Sequence, residues 1–251
     1  MPVEPRLAAT VVLLRERVPH SESNDDCEFE VFMVKRHSNA RFMSEHHVFP
    51  GGAIDKQDII KDSKERLIGL DNSITNILKE VHEDPSILWI IAIRELFEET
   101  GILIARDEKG NSLEKKTKKL MKYQKKLQKK RKTMTEILTK ENLYYYANNL
   151  KYFGRFITPE ASPIRFDTQF FLCEFPHNQS INLFYDELTE GLWGSPAQFI
   201  KKFKKRQIKL IFPQYLTLKR LRKFKTIAEV YEHSKEVSSH NRLKDMKLQF
   251  N

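Results

Sequence analysis

Apolar positions come in short runs separated by polar stretches, and the spacing inside each run predicts an element. Residues 7–14 are almost wholly apolar until Arg15, and Phe29–Lys35 alternates in part, so both read as strands. Pro19–Asp26 between them is polar with two adjacent aspartates, as in a hairpin-type connection. Residues 36–54 mix two glycines and a proline with basic and aromatic side chains, which predicts a loop structured around a ligand. Residues 55–83 are polar and predict helical or irregular chain. Asp84-Pro85-Ser86 then opens a helix, with Asp84 capping and Pro85 in the first turn. Ile87, Leu88, Ile91 and Leu96 give it an apolar stripe, and Gly101 suits a left-handed terminator.

Leu103–Ala105 predicts a short strand. Beyond it Leu113, Leu120, Leu127 and Met134 recur every seven residues, but Thr117, Gln124 and Arg131 fill the partner positions. That stripe is too thin for a coiled coil, so 112–132 reads as an exposed lysine-rich helix or arm. Tyr152–Ile157 and Thr168–Phe175 predict two more strands. Ser195-Pro196 opens a helix over Pro196–Lys205, and Phe212-Pro213 opens a last one through about Leu221. The chain from Ser234 is polar and predicts a loosely ordered tail. Mixed strands with a few helices fit an α/β/α sandwich, with a domain over 5–233 and a polar tail over 234–251.

Charge changes this picture at one place. The net charge is +10, and residues 106–140 alone hold 14 Lys/Arg and 4 Asp/Glu, so the remainder is neutral. Eleven of those cations lie in 115–132. Such a block suits nucleic acid or an anionic surface, but Tyr123 is its only aromatic, and a solvated helix is the favoured reading. No apolar run approaches the length of a membrane span. Two cysteines, Cys27 and Cys173, favour free thiols in a reducing compartment.

Candidate chemistry concentrates in Arg94-Glu95-Leu96-Phe97-Glu98-Glu99-Thr100-Gly101-Ile102. On a helix Glu95, Glu98 and Glu99 share one face. Three like charges that close fit either a solvated acidic face or a hard divalent cation, Mg²⁺ or Mn²⁺ rather than zinc. With the upstream Phe49-Pro50-Gly51-Gly52-Ala53, this segment resembles the Nudix box, Gly-x5-Glu-x7-Arg-Glu-U-x-Glu-Glu-x-Gly-U, where U is apolar. Arg94 to Ile102 match every specified position. In the first half, 51–58, Asp58 stands where the box has its first glutamate, and 35 residues (59–93) rather than seven precede Arg94. Whether Asp58 meets Arg94 stays open in the sequence.

The resemblance implies a Nudix α/β/α sandwich with a mixed sheet, carrying an insertion inside the box and a lysine-rich helical insert over 106–140. It implies Glu98 and Glu99 as principal metal ligands, Glu95 as a further ligand or orienting group, and Arg94 as the arginine that holds a box carboxylate. Gly51 and Gly52 would shape the loop of the metal site and substrate. A general base outside the box is implied, with Glu160, Asp167, Glu187 and Glu190 as candidates, and Glu98 could also serve.

Arg36 to Gly52 resembles the coenzyme A signature of some Nudix hydrolases, with Arg36, Arg41 and Phe49 in register and His37 and Glu45 departing from it. Guanidinium groups clamp phosphate bidentately, which suits a diphosphate with a further 3′-phosphate. Phe156 to Phe171, with its Thr158-Pro159 and Arg165-Phe166-Asp167-Thr168, resembles the subgroup called nudix motif nineteen, as does Trp193-Gly194-Ser195-Pro196. The subgroup implies metal-dependent hydrolysis of coenzyme A or acyl-coenzyme A to 3′,5′-ADP and (acyl-)4′-phosphopantetheine. The alternatives are another nucleoside diphosphate derivative (a capped RNA or a nucleotide sugar) and a non-catalytic ligand- or RNA-binding module. The subgroup also implies a peroxisomal or mitochondrial location, but Leu248–Asn251 is not a Ser-Lys-Leu-type address, so the cytosol is the expectation.

Overall fold

The structure is a computed structural model and describes residues 3–17, 26–40, 43–112 and 117–239. In chain order the strands are β1 (Arg6–Glu16), β2 (Phe29–Arg36), β3 (His46–Val48), β4 (Gly51–Ala53), β5 (Leu67–Ile68), β6 (Ala105–Arg106), β7 (Tyr144–Tyr146), β8 (Lys151–Ile157), β9 (Phe166–Glu174), β10 (Leu188–Gly194) and β11 (Lys209–Leu210). The helices are α1 (Lys61–Glu65), α2 (Asn72–Leu78), α3 (Ser86–Thr100), α4 (Thr117–Gln128), α5 (Met134–Glu141), α6 (Pro196–Lys204), α7 (Phe212–Leu221) and α8 (Ile227–Ser239).

Eight strands form one mixed sheet, ordered β11-β3-β2-β1-β9-β8, with β10 on β2 and β4 on β1. β1 and β9 run parallel, and β1 and β2 antiparallel. Alternation on β1 sorts side chains to two faces. Ala9, Val11 and Leu13 join the core under α3, while Val12 and Leu14 join the core under α6 and α7. Helices therefore cover both faces, and the expected α/β/α arrangement holds. A small second sheet, β5-β7-β6, lies beside it.

One irregularity of the main sheet positions the site. β1 pairs with β2 at Leu14–Glu16 but with β4 at Ala8–Thr10. β2 in turn pairs with β3 at Val34 and Lys35. The two long strands thus splay apart, and the segment from β3 to β4 is wedged between them. The Val11 N–H donates to the Pro50 carbonyl at 2.8 Å, which fixes the turn just before the two glycines.

Several expectations need correction. Residues 117–128 are the helix of the expected helix or arm, but it is amphipathic and not wholly exposed, because Tyr123, Gln124 and Leu127 are buried while Lys122, Lys125, Lys126 and Lys129 face outward. Lys115 and Lys116 lie outside the described residues. The strand expected at Leu103–Ala105 falls at Ala105–Arg106, and Leu103 and Ile104 are core instead. The polar chain after Ser234 continues α8 to Ser239, with Ser234 buried; residues 240–251 lie outside the described residues. β7, β10, α5 and α8 were not legible as elements. Yet Thr133 and Glu136 do form a capping box that begins α5, a signal present in the sequence. Among the described residues, no helix is long and apolar enough to cross a membrane. Both cysteines are buried free thiols, as their spacing suggested.

Candidate active site

α3 carries Arg94, Glu95, Glu98 and Glu99 on its last two turns and ends on Gly101 at φ 74°, the left-handed terminator expected from the sequence. The helix begins at Ser86 with Pro85 at the N-cap, one residue later than expected, and the Asp84 carboxylate accepts from the Ser86 N–H at 3.2 Å. The helix is apolar on nearly all sides and fully buried along Ile87–Ile93, which holds its acidic end in fixed register against β1 and β4.

The glycines bring β4 against that end. Gly51 has φ 155°, and a side chain there would strike the Ala9 carbonyl and Thr10. A Cβ on Gly52 would sit 2.5 Å from Glu95 Oε1. At Gly51 backbone blocks a side chain, and at Gly52 a side chain would displace the Glu95 carboxylate. The Gly51 N–H donates to Glu99 Oε2 at 3.0 Å.

Arg94 is the hub. Its Nε donates to Asp58 Oδ1 at 2.7 Å and its Nη2 to Asp58 Oδ2 at 2.9 Å. Nη2 also reaches the Ala53 carbonyl at 3.0 Å, and Nη1 reaches Glu95 at 2.8 Å and Glu98 at 3.1 Å. All five guanidinium donors are used in a buried setting, which only arginine can offer. Asp58 therefore takes the place of the first box glutamate despite the 35 intervening residues. It can do so because the turn Lys56–Asp58 is locked by a reciprocal capping box with Asp55. Those intervening residues fold as α1, β5 and α2, and Ile74, Ile77 and Leu78 of α2 join the core that α3 occupies.

Three carboxylates, Asp58, Glu95 and Glu98, face one guanidinium here, and Glu95 and Glu98 lie with Glu99 at the negative end of a helix dipole. Burial pushes the Glu95 carboxyl up to about 7, against the pull of Arg94. Burial and then the neighbouring Glu95 raise Glu99 well above the usual carboxylate range. Burial raises Glu98 as well. For Arg94, burial works against the charge, but Glu95 and Asp58 overcome it and hold the guanidinium firmly protonated.

The last carbonyls of α3 are satisfied by distant chain. Phe97 O accepts from Gly101 N–H, and Glu98 O accepts from Gln124 at 3.1 Å and Gln128 at 2.6 Å, both on α4. Glu99 O accepts from the Phe184 N–H at 3.1 Å and Thr100 O from the Asn182 N–H at 2.8 Å. α4 and the 179–184 segment thus grip the acidic end from behind. Nothing in the sequence pattern pointed to those glutamines.

A cavity of about 400 Å³ opens beside the glycine loop. Arg6 and Arg36 line it with Gly51 and Gly52, and its walls are largely aromatic: Phe49, Phe156, Phe166, Phe170 and Phe212. The Thr158–Arg165 segment closes the β8–β9 hairpin, with Thr158 N–H to Phe166 O at 2.9 Å and Arg165 Nε to Thr158 O at 3.0 Å. Thr158, Pro159 and Ser162 of that hairpin form one wall. Arg36 lies close enough to Glu99 to lower its pKa against the larger effect of burial. Arg41 lies outside the described residues, so its expected phosphate role has no geometry here.

The family model of the NUDT19 Nudix domain matches residues 74–221. The chain belongs to that family. Related proteins include the acyl-coenzyme A diphosphatase NUDT19 of Xenopus laevis, 26% identical over 84% of this chain and 64% of that protein. The protein of the same name from Gallus gallus is 26% identical over 91% of this chain and 71% of its own length. This chain thus spans about two thirds of those relatives. A crystal structure of a NUDIX hydrolase from Alicyclobacillus acidocaldarius superposes with a TM-score of 0.73 at 27% identity, covering 91% of this chain and 96% of that one.

The Nudix hydrolase family uses divalent metal ions, and the donor set here fits one. Hard oxygen donors carrying excess buried negative charge are what Mg²⁺ or Mn²⁺ prefer. Among the described residues no three acidic, histidine or cysteine side chains already converge as a finished cage. Arg94 pairs with Glu95 and with Glu98. The candidate bases separate clearly. Asp167 is locked by Arg155 at 2.5 Å and by Gln169, Glu190 faces His47 at 3.8 Å, and Glu160 is exposed. Glu187 alone of the four acts on both Glu98 and Glu99.

Proposed function

We propose that this Nudix domain hydrolyses the diphosphate linkage of coenzyme A or acyl-coenzyme A, with Mg²⁺ or Mn²⁺, to 3′,5′-ADP and (acyl-)4′-phosphopantetheine. The observation that carries the reading is the acidic end of α3 set against a glycine loop and an arginine-rimmed apolar cavity. The names of the vertebrate relatives support the substrate class. The cavity supports it as well, since an anionic diphosphate with an apolar arm needs cations at the rim and hydrocarbon within.

Glu98 and Glu99 would be the principal metal ligands, with Glu95 a further ligand or orienting group. The bound ion supplies charge neutralisation at phosphorus and a lowered pKa for water. Asp58 positions Arg94, and Arg94 holds Glu95 and Glu98 beside the glycine loop. The Gly51 N–H fixes one oxygen of Glu99. Arg36, and Arg41 by its register in the coenzyme A signature, would clamp phosphate oxygens bidentately. Glu187, exposed next to the acidic end, is the general base this arrangement favours.

The test is incubation of the full chain with coenzyme A, acyl-coenzyme A and a capped RNA, each with Mg²⁺ or Mn²⁺, and chromatographic separation of products. We expect 3′,5′-ADP from the coenzyme A substrates. Glu98→Gln and Glu99→Gln should each lower kcat at least about 100-fold with a native circular dichroism spectrum. Products from the capped RNA alone would reject the substrate, and wild-type turnover in either variant would reject the metal assignment.

A further inference from the structure

Two arginines line the cavity, and they belong to different ends of it. Arg36 is the one whose charge reaches Glu99, so it serves the acidic end of α3. Arg6 stands at the start of β1, and alternation puts its side chain on the cavity face with Ala8 and Thr10. Thr10 lies opposite Gly51, whose N–H binds Glu99, and Ala8 lies opposite Ala53. The Arg6 backbone is therefore about 13 Å along the strand from the glycine turn, at roughly 3.3 Å per residue. Its Nη2 donates to the Ile54 carbonyl at 3.4 Å, so the guanidinium lies level with the chain just after β4. Arg6 is exposed, and among the described residues no carboxylate pairs with it. On the neighbouring strand Thr168 is in register with Ala8 and lines the same wall.

We propose that Arg6 forms a second anion subsite, which takes a phosphate monoester on the substrate away from the scissile diphosphate, with the Thr168 hydroxyl as a neutral donor beside it. A guanidinium without an acid partner on a substrate wall is suited to phosphate oxygens. The diphosphate is held at the other end by the metal ligands and Arg36, so the anion left for Arg6 is a separate one. The inference rests on the coenzyme A reading, in which that anion is the 3′-phosphate of the ribose. Arg6 is a specificity residue in this account and takes no part in the hydrolysis. A nucleotide sugar, which has the diphosphate without the extra phosphate, gains nothing from it.

The test compares coenzyme A with dephospho-coenzyme A, which lacks only the 3′-phosphate, at saturating Mg²⁺ or Mn²⁺. Wild-type protein should show a KM about tenfold lower for coenzyme A, with kcat alike on the two. Arg6→Gln should raise the KM for coenzyme A about tenfold, bring the two substrates level and leave kcat unchanged. Arg6→Lys should restore part of the preference, because the charge supplies part of the contact and the planar fork the rest. Competition gives a second readout: 3′,5′-ADP should inhibit wild-type protein more strongly than 5′-AMP does, and the two should inhibit Arg6→Gln equally. The exposed position predicts an unfolding midpoint close to wild type for both variants. Wild-type protein that does not distinguish the two substrates overturns the assignment alone, as does an Arg6→Gln variant that keeps the preference or weakens both substrates equally. No turnover of coenzyme A by wild-type protein removes the underlying substrate reading and this assignment with it.

Discussion

At the scale of single residues the site is organised by one side chain that spends every donor it has. Arg94 is 3% exposed and Asp58 is fully buried, so their pair is cut off from water. Removing one partner of such a pair strands the other charge in a poor solvent. We expect Asp58→Ala to lose about 3–5 kcal/mol of unfolding free energy in urea denaturation. A loss below about 1 kcal/mol, the level of an exposed pair, would mean that Arg94 is not held as described. The pairing of Asp58 with Arg94 stayed open at the level of sequence, since spacing along a chain says nothing about contacts across a 35-residue excursion. By contrast, the shared face of Glu95, Glu98 and Glu99 was readable, because helical periodicity alone sets it. The aromatic cavity was half-readable: the Thr158–Thr168 element pointed to a family, but only the hairpin geometry turns it into a wall.

At the scale of the element, α3 is a helix whose useful end is also its electrostatically worst end. Glu95 titrates near 7 in the fold against an ordinary 4.5, so the folded chain keeps a proton that the unfolded chain has released across that interval. Stability contributed by this group is present below 4.5 and declines as pH rises toward 7. Glu98 and Glu99 shift in the same direction and reinforce the trend. Without divalent ions the melting temperature should therefore fall between those two pH values, and added Mg²⁺ should raise it more at the upper one, as scanning calorimetry can read. A rise in metal-free stability over the interval would contradict the burial of these acids. The same end depends on α4 for its last carbonyls. Gln124→Leu removes donors to Glu98 O and Asn182 O, and should cost about 1–3 kcal/mol in chemical denaturation. Unchanged stability would mean that α4 leans on α3 without gripping it.

At the scale of the molecule, the basic excess on α4 and the acidic end of α3 lie on one packed helix pair. α4 turns Tyr123, Gln124 and Leu127 inward and its lysines outward. Heptad counting missed this, because the buried face includes a glutamine and a tyrosine that a search for apolar stripes passes over. β10 was missed for a related reason: Thr189, Glu190 and Gly191 break its apolar pattern, and its pairing with β2 supplies the order that propensity does not. The long core elements β1, β2, β9 and α3 were legible because their burial is continuous. Lys122, Lys125 and Lys129 changed together to Glu should leave unfolding free energy within about 0.5 kcal/mol, while heparin elution moves to lower salt. A large loss of stability would show that this face packs against something.

The single handshake between Asp58 and Arg94 also frees the stretch between them to vary. Closing a flexible span becomes harder only with the logarithm of its length, by roughly 0.6 kcal/mol per doubling, so going from seven to 35 residues adds on the order of 1.4 kcal/mol. A buried two-point clasp outweighs that, and packing of α2 into the core offsets it further. The exposed turns of this span ahead of α3, unlike the buried faces of α2 and α3, could then be lengthened or trimmed without disturbing the acidic end of α3, which makes them natural graft points for engineered loops.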